Sequence, residues 1–476
     1  MPISLTQVAQ QFSYIISNPL QFTSIYFVVF LVLVLGINAL IGNLPKVRVV
    51  FLTLVSFYFY YKASGYYVVL LGLSAGVNYG LGLLIGTTRV QWQRLTLLWL
   101  AIGVNVYVLG IFKYGGLLQA LYNGTHSVSA FIIPIAISFF TFENISYIVD
   151  VYKRNTRAQR NVFNYFLFIS FFPKLIAGPI IRAKQFMPQL SHRFALSTSR
   201  FKYGLILITQ GYLYKCILAD TLGVYLVDTI YLQPNYYTPA QVVLAVLAYT
   251  LQIYFDFSGY THIARGIACW LGIRIPLNFN APYSASSITE FWQRWHISLS
   301  TWLRNYVYIP LGGNKHGAWR TYLNLLLTMA VGGLWHGASW QFMWWGLAHG
   351  LLLAIERLIK PYISAPRKLG QCYTFVSVTL LWVLFRANSY TQAVQVYKAM
   401  YSSTASATQN IQGLMHYPWA LCAFILGIVL IIIEKRLTLK LRLSVPTFLY
   451  MLALALVMVY VALLQQEQAG FIYFQF

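Results

Sequence analysis

Residues 22–41 read FTSIYFVVFLVLVLGINALI, a run from Phe22 to Ile41 without one charged side chain. An untilted helix needs about 20 such residues to cross the hydrocarbon core of a bilayer. Backbone amides in lipid must find their partners within the segment, so the span must be helical. Working outward, apolar windows recur at Val49–Tyr61, Tyr67–Ile85, Leu95–Phe112, Phe131–Ile148, Val242–Phe255, Leu323–Leu334, Phe342–Ile355, Phe375–Leu384, Tyr417–Ile433 and Phe448–Leu464. Several are short or interrupted, and by length they predict roughly 10–12 membrane segments. Hydrophobic residues make up 59% of the 476 positions and charged residues 9%, too few charges to cover a water-exposed surface.

The opening residues 1–21 are polar and carry no side-chain charge, which predicts no cleavable leader. Cys216, Cys269, Cys372 and Cys422 are scattered, form no paired motif, and are expected to be small buried hydrophobes rather than disulfides or metal ligands. A net charge of +24 suits nucleic acid on paper. The basic residues nevertheless sit in the connections: Lys46 and Arg48; Lys153, Arg154, Arg157 and Arg160; Arg193, Arg200 and Lys202; Lys435, Arg436, Lys440 and Arg442. There they anchor helices at an anionic membrane surface, so the partner is lipid and not nucleic acid. An anionic donor such as coenzyme A would be drawn to the same loops. The longest polar connections are Lys153–Asn161, His192–Lys202 and Ser402–Gly413; no repeat is found, and residues 1–476 read as one membrane domain.

The segment Leu277–Trp319 is too polar to span and too aromatic to be a free loop, which predicts an interfacial or re-entrant layer. Ser287-Ile288-Thr289-Glu290 fits a capping box, giving Glu290 a structural role. Wound as one helix, Phe291, Trp292, Trp295, Leu299, Trp302 and Leu303 share an apolar face, and His296 falls at its margin beside Ser300 and Gln293. That position suits a tuned acid or base, and equally a histidine hydrogen-bonded within a packed interface.

Each of the nine acidic residues near a span needs a reason. Asp256 ends an apolar run before Gly259; it either lines a tunnel or makes a fixed ion pair, with Arg265 or Arg294 as partners, and the ion pair is the preferred reading. His336 lies in Gly332-Gly333-Leu334-Trp335-His336-Gly337, a glycine-flanked corner between two spans and a poor place for a histidine that only bridges helices. His349 falls in a small-xxx-small pattern with Gly346 and Gly350, which favours a structural role. His126, His192, His316 and His416 carry no special signal. The sequence holds no G-x-S-x-G elbow, Walker A loop, H-E-x-x-H helix or G-x-G-x-x-G turn. A histidine general base is the most economical chemistry left.

Several motifs stand in a fixed order: Phe255-Asp256-Phe257-Ser258-Gly259-Tyr260, Asn278-Phe279-Asn280-Ala281-Pro282-Tyr283, Ile288 to His296, Tyr308-Ile309-Pro310-Leu311-Gly312-Gly313-Asn314 and Gly333-Leu334-Trp335-His336-Gly337. Outside this 256–350 core stand Phe172-Pro173-Lys174-Leu175-Ile176-Ala177-Gly178-Pro179, Ser146 to Tyr152 and Phe471 to Phe476. Together they resemble the membrane-bound O-acyltransferases, in particular their alginate O-acetylation branch, over nearly the whole chain. Departures are Tyr260-Thr261-His262 where the family often reads Tyr-Ser-Asp, Asn305 where Asp is common, and Glu143-Asn144 where Gln or His is usual.

The resemblance implies an all-α polytopic fold, with interfacial and re-entrant helices in a ring around a central tunnel. It implies a multi-pass protein of the bacterial inner membrane and no permanently bound cofactor or metal. An acyl group, acetyl first, would pass from acetyl-CoA or another cytoplasmic thioester to the far side. A periplasmic SGNH-type acetyltransferase within a polysaccharide-synthesis and export complex would then acylate alginate, cellulose or peptidoglycan. His336 becomes the expected catalytic base and His296 the second catalytic site; Asp256, Asn280, Trp335, Trp295 and Ser300 are expected to line the substrate path. Rival readings are a teichoic-acid D-alanylation protein, a carrier, or a non-catalytic subunit. A carrier should show inverted internal symmetry, and none is found.

Overall fold

The computed structural model describes residues 14, 20–123, 133–176, 178–362, 365–402, 418–437 and 452. The predicted window 448–464, the terminal motif 471–476 and most of the polar stretch 402–413 therefore lie outside the described residues. Among the described residues every regular element is helical, in agreement with the all-α reading. Five helices are long and apolar enough to cross a membrane: Tyr67–Thr87, Gln91–Gln119, Pro239–Trp270, Trp340–Ile359 and Arg367–Arg386. Tyr26–Leu40 and Pro418–Glu434 are shorter apolar helices. Across its most apolar stretch Pro239–Trp270 is 83% buried against 22–33% for the other four, which makes it an internal helix and gives the others outward apolar faces for lipid.

The chain forms two compact units, residues 1–208 with 261–276, and residues 209–260 with 277–476. In the first, Ile25–Leu40, Pro45–Ser64, Tyr67–Thr87 and Gln91–Leu109 precede the buried helix Ile137–Tyr152. Polar side chains tie these helices together where lipid offers no hydrophobic drive between them. Asn105 Nδ2 donates to Asn78 Oδ1 at 2.7 Å, and Tyr165 Oη to Asn144 Oδ1 at 2.7 Å. Glu143 forms a buried ion pair with Lys174 of the Phe-Pro-Lys motif and accepts from the Ile181 amide at 3.2 Å. That pair accounts for a carboxylate buried within an apolar helix.

In the second unit Gly317–His336 and Trp340–Ile359 pack as a tight hairpin joined by residues 337–339. Gly333 and Gly346 face each other across it; a methyl group on Gly333 would run into the Phe342 carbonyl, and one on Gly346 into that of Met329. Backbone-to-backbone approach of this kind is what small-residue spacing permits. The cysteines are free, as expected, but only Cys216 is buried; Cys372 and Cys422 are exposed on outward faces of apolar helices.

Candidate active site

The single helix expected across Ser287–Arg304 is two helices, Ile288–Arg294 and Ile297–Leu303, broken at Trp295-His296. Its apolar residues are buried as predicted; the backbone between them turns instead of continuing. The preceding strand-like segment causes the break. The Asn280 amide donates to the Arg294 carbonyl at 3.0 Å, and the Ile297 amide to the Asn278 carbonyl at 2.9 Å. Asn278 Oδ1 also accepts from the Ser298 amide at 3.1 Å. These bonds take the groups that an uninterrupted helix would use.

The first helix starts as the capping signature predicts, with Ser287 Oγ accepting from the Glu290 amide at 3.0 Å. Glu290 reaches one residue further back than a standard box, accepting from the Ser286 amide at 2.7 Å, and pairs with Arg294 at 2.7 Å. These donors hold the Glu290 carboxyl below its ordinary range despite partial desolvation. Its structural role stands.

His296 sits at the break with φ 41° and ψ 53° and is fully buried. Its Nδ1 accepts from the Leu299 amide at 3.4 Å, capping the second helix. With Nδ1 accepting, the neutral ring carries its proton on Nε2, so the outward nitrogen is a donor. His336 closes the Gly317–His336 helix and is 3% exposed. Its ring lies 6.4 Å from that of His296, 5.0 Å from Trp335, 5.2 Å from Trp345 and 5.1 Å from Phe385, centroid to centroid. A helix C-terminus favours positive charge, so an imidazolium formed at His336 during a reaction is stabilised there.

Two further groups join this box. Trp345 Nε1 and His349 Nε2 are buried with no hydrogen-bond partner among the described residues. Trp292 Nε1 donates to His349 Nδ1 at 3.3 Å, and the His349 ring lies 4.9 Å from Trp345. An orphaned buried indole N–H is costly in a resting protein and suits a site that receives an oxyanion. Sequence reading kept His349 as structural and passed over Trp345; their four-residue spacing on one helical face was the available signal.

Of the other predicted site residues, Trp335 touches both histidine rings, 5.7 Å from that of His296. Trp295 is buried one layer away, stacked on Phe291 and 5.0 Å from Trp382. Ser300 Oγ donates to the Trp295 carbonyl at 3.2 Å. Asn280 is exposed and engaged through its backbone, whereas the buried asparagine beside His296 is Asn278. Asp256 makes the fixed ion pair that was preferred, but with Lys215 at 2.6 Å rather than an arginine; Lys215 also holds Asp220 at 2.8 Å.

A cavity of about 830 Å³ adjoins the box. Trp292 and Met329 form its inner wall, Ser300 and Thr301 one side, and Arg304, Arg357 and Lys360 its basic margin. Trp292, on its wall, also packs against His349, 5.0 Å between ring centroids. None of the three cations forms an ion pair among the described residues. Glu356, on the same wall, is committed to the start of the Ile288–Arg294 helix, accepting from the Ile288 amide at 2.7 Å.

The frame is helical with several membrane-length helices, and it sets two buried histidines, His336 and His296, among aromatic rings. The chain belongs to the membrane-bound O-acyltransferase family, whose model matches residues 157–392. Among its relatives is the "probable alginate O-acetylase AlgI" of Pseudomonas aeruginosa, 42% identical over 396 residues that cover 80% of this chain and 74% of that protein. The peptidoglycan O-acetyltransferase of Helicobacter pylori is 36% identical, covering 75% of this chain and 74% of its own length. The teichoic acid D-alanyltransferase of Streptococcus thermophilus is 32% identical over a shorter region, 49% of this chain and 58% of that protein.

The box leads to one direct expectation. Trp345→Phe keeps the ring and removes the N–H, so transfer should slow by about 100-fold or more, the cost of one oxyanion donor, with donor KM little changed. An unchanged kcat in a labelled acyl-transfer assay would remove Trp345 from that role.

Proposed function

We propose that this protein takes an acetyl group from acetyl-coenzyme A at the cytoplasmic face of a bacterial inner membrane and delivers it for O-acetylation of an exported polysaccharide. The observation that carries the reading is the His336 box set behind a cavity with a basic margin. Extended similarity to alginate and peptidoglycan O-acetylating relatives supports the same acceptor class. A periplasmic SGNH-type acetyltransferase completing the transfer is part of this proposal.

In the reaction, His336 takes the proton of an acceptor hydroxyl as its oxygen attacks the thioester carbonyl carbon. The carbonyl oxygen becomes anionic, facing Trp345 Nε1–H and His296 Nε2–H as donors. The C–S bond then breaks, and the thiolate leaves with the proton that His336 holds. Exclusion of water by Trp335, Trp345 and Phe385 protects the thioester from hydrolysis. Arg304, Arg357 and Lys360 give the phosphates of the donor a place to pair without displacing a resident carboxylate.

Purified protein supplied with radiolabelled acetyl-coenzyme A and a hydroxyl acceptor should release free thiol. Arg357→Gln combined with Lys360→Gln should raise KM about tenfold, the value of one lost charged contact, and leave kcat near wild type. Wild-type KM should also rise with salt. If wild type leaves acetyl-coenzyme A intact and turns over a D-alanyl carrier-protein thioester instead, the donor assignment fails in favour of the teichoic-acid type of reaction.

A further inference from the structure

The first unit contains a second cavity, of about 850 Å³, that the acyl-transfer reading does not use. Its walls carry Arg48, His192, Arg193, Arg200, Arg265 and Arg274. No carboxylate answers them. The first unit has two acidic residues in all, Glu143 and Asp150, and neither lines this cavity. Glu143 is committed to Lys174, and Asp150 Oδ1 accepts from Asn155 at 3.3 Å.

The cations are held in place before anything binds. Arg48 is 3% exposed, and its guanidinium donates to neutral oxygens only: Asn38 Oδ1 at 3.1 Å, the His192 carbonyl at 3.3 Å and the Leu271 carbonyl at 2.6 Å. Arg48 and Arg200 both lie against the Phe194 ring, at 5.0 and 5.7 Å from its centroid, so one ring holds two like charges. Arg265 Nη2 donates to Tyr203 Oη at 3.3 Å, while its Nε is buried with no hydrogen-bond partner. Burying one guanidinium beside another without an anion is unfavourable, and an anion with several oxygens relieves it.

The surroundings say which anion. The cavity lies where the helices Thr198–Tyr212 and Pro239–Trp270 have their adjacent ends, with Trp270 stacked on Phe201 at 5.3 Å. Tyr203 on its lining is 45% exposed, and Leu207 and Ile275 line it as well. Aromatic rings, aliphatic walls and arginines at helix ends mark the headgroup level of a bilayer.

We propose that this cavity is a phosphate-binding site, and that the phosphate belongs to the headgroup of an anionic phospholipid. Arg200 and Arg265 grip the phosphate from a base fixed by Arg48, and the apolar rim accepts the start of the acyl chains. The site stands whether or not the donor assignment above is right.

The test uses full-length protein in a neutral detergent and follows thermal unfolding with phosphatidylglycerol, phosphatidylcholine or inorganic phosphate added. Phosphatidylglycerol should raise the wild-type midpoint and phosphatidylcholine should not. Arg200→Gln with Arg265→Gln should weaken apparent lipid affinity about tenfold or more, since charge-assisted hydrogen bonds are lost. Arg274→Gln, exposed and outside the packed interior, gives a weaker form of the same loss should the double variant fold poorly. An equal midpoint shift with inorganic phosphate keeps the site and assigns it to soluble phosphate. No shift with any of these, or the same shift in both variants, overturns the proposal.

Discussion

His336→Ala loses acyl transfer by about a hundredfold to ten-thousandfold, the range that a positioned general base contributes. The protein should still fold, because His336 closes its helix and the surrounding rings also pack on one another, Trp345 on Trp382 and on Phe385. Donor binding, read by KM or by direct titration of acetyl-coenzyme A, should be retained, since His336 does not line the cavity that carries the basic margin. His296 needs a different substitution, because its Nδ1 caps a helix and its backbone is left-handed. Asn tolerates that conformation and supplies a capping oxygen, so His296→Asn keeps the fold and removes only the Nε2–H donor. The two variants should then differ in kind. His336→Ala removes the group that takes the acceptor proton, whereas His296→Asn removes one donor to the developing oxyanion and lowers the rate less. If His336→Ala transfers acetyl at the wild-type rate, the base lies elsewhere.

Lys215→Met destabilises the protein by about 3–5 kcal/mol, the cost of stripping a buried ion cluster of its counter-charge. Lys215 is buried between Asp220 and Asp256, and removing it takes away the cation that both carboxylates pair with. The discriminating variant is Lys215→Met combined with Asp220→Asn and Asp256→Asn, which should recover most of the loss because the charges disappear together. Asp256→Asn alone should cost much less, since Lys215 keeps Asp220. Thermal unfolding in detergent reads all three. A Lys215→Met protein as stable as wild type would show that the cluster does not hold this part of the second unit together. Because the cluster ties the Leu213–Ala219 and Asp220–Leu222 turns to Asp256 on Pro239–Trp270, the most deeply buried of the five long apolar helices, activity should fall with stability rather than independently of it.

The membrane character and the helical class were legible in the residues themselves. Apolar length and charge scarcity are local properties, and the bilayer translates them directly into helices. The Gly-Gly-Leu-Trp-His-Gly corner told its own story as well, because glycine spacing in an apolar run has few uses besides close backbone approach. That approach is found at Gly333 and Gly346. The Ser287 capping signature and the buried face of the segment after it were equally readable.

What periodicity hid was decided by contacts between distant parts of the chain. One continuous helix fits the pattern from Ser287 to Arg304, yet residues 278–280 compete for its backbone groups and break it at His296. That break turns a histidine expected at a helix margin into a buried cap with a fixed tautomer. The partner of Asp256 was legible as a cation but not as Lys215, which lies 41 positions earlier in the chain. Trp345 and His349 became site residues only when the glycine-packed hairpin laid one helix against the other. Arg48, Arg193 and Arg200 read as membrane anchors and Arg265 as a partner for Asp256, and only folding gathered them with Arg274 around one cavity that no carboxylate lines. Local sequence thus set which groups exist and on which kind of element they stand. Packing, which joins residues of no sequence proximity, set which of them meet and are desolvated together.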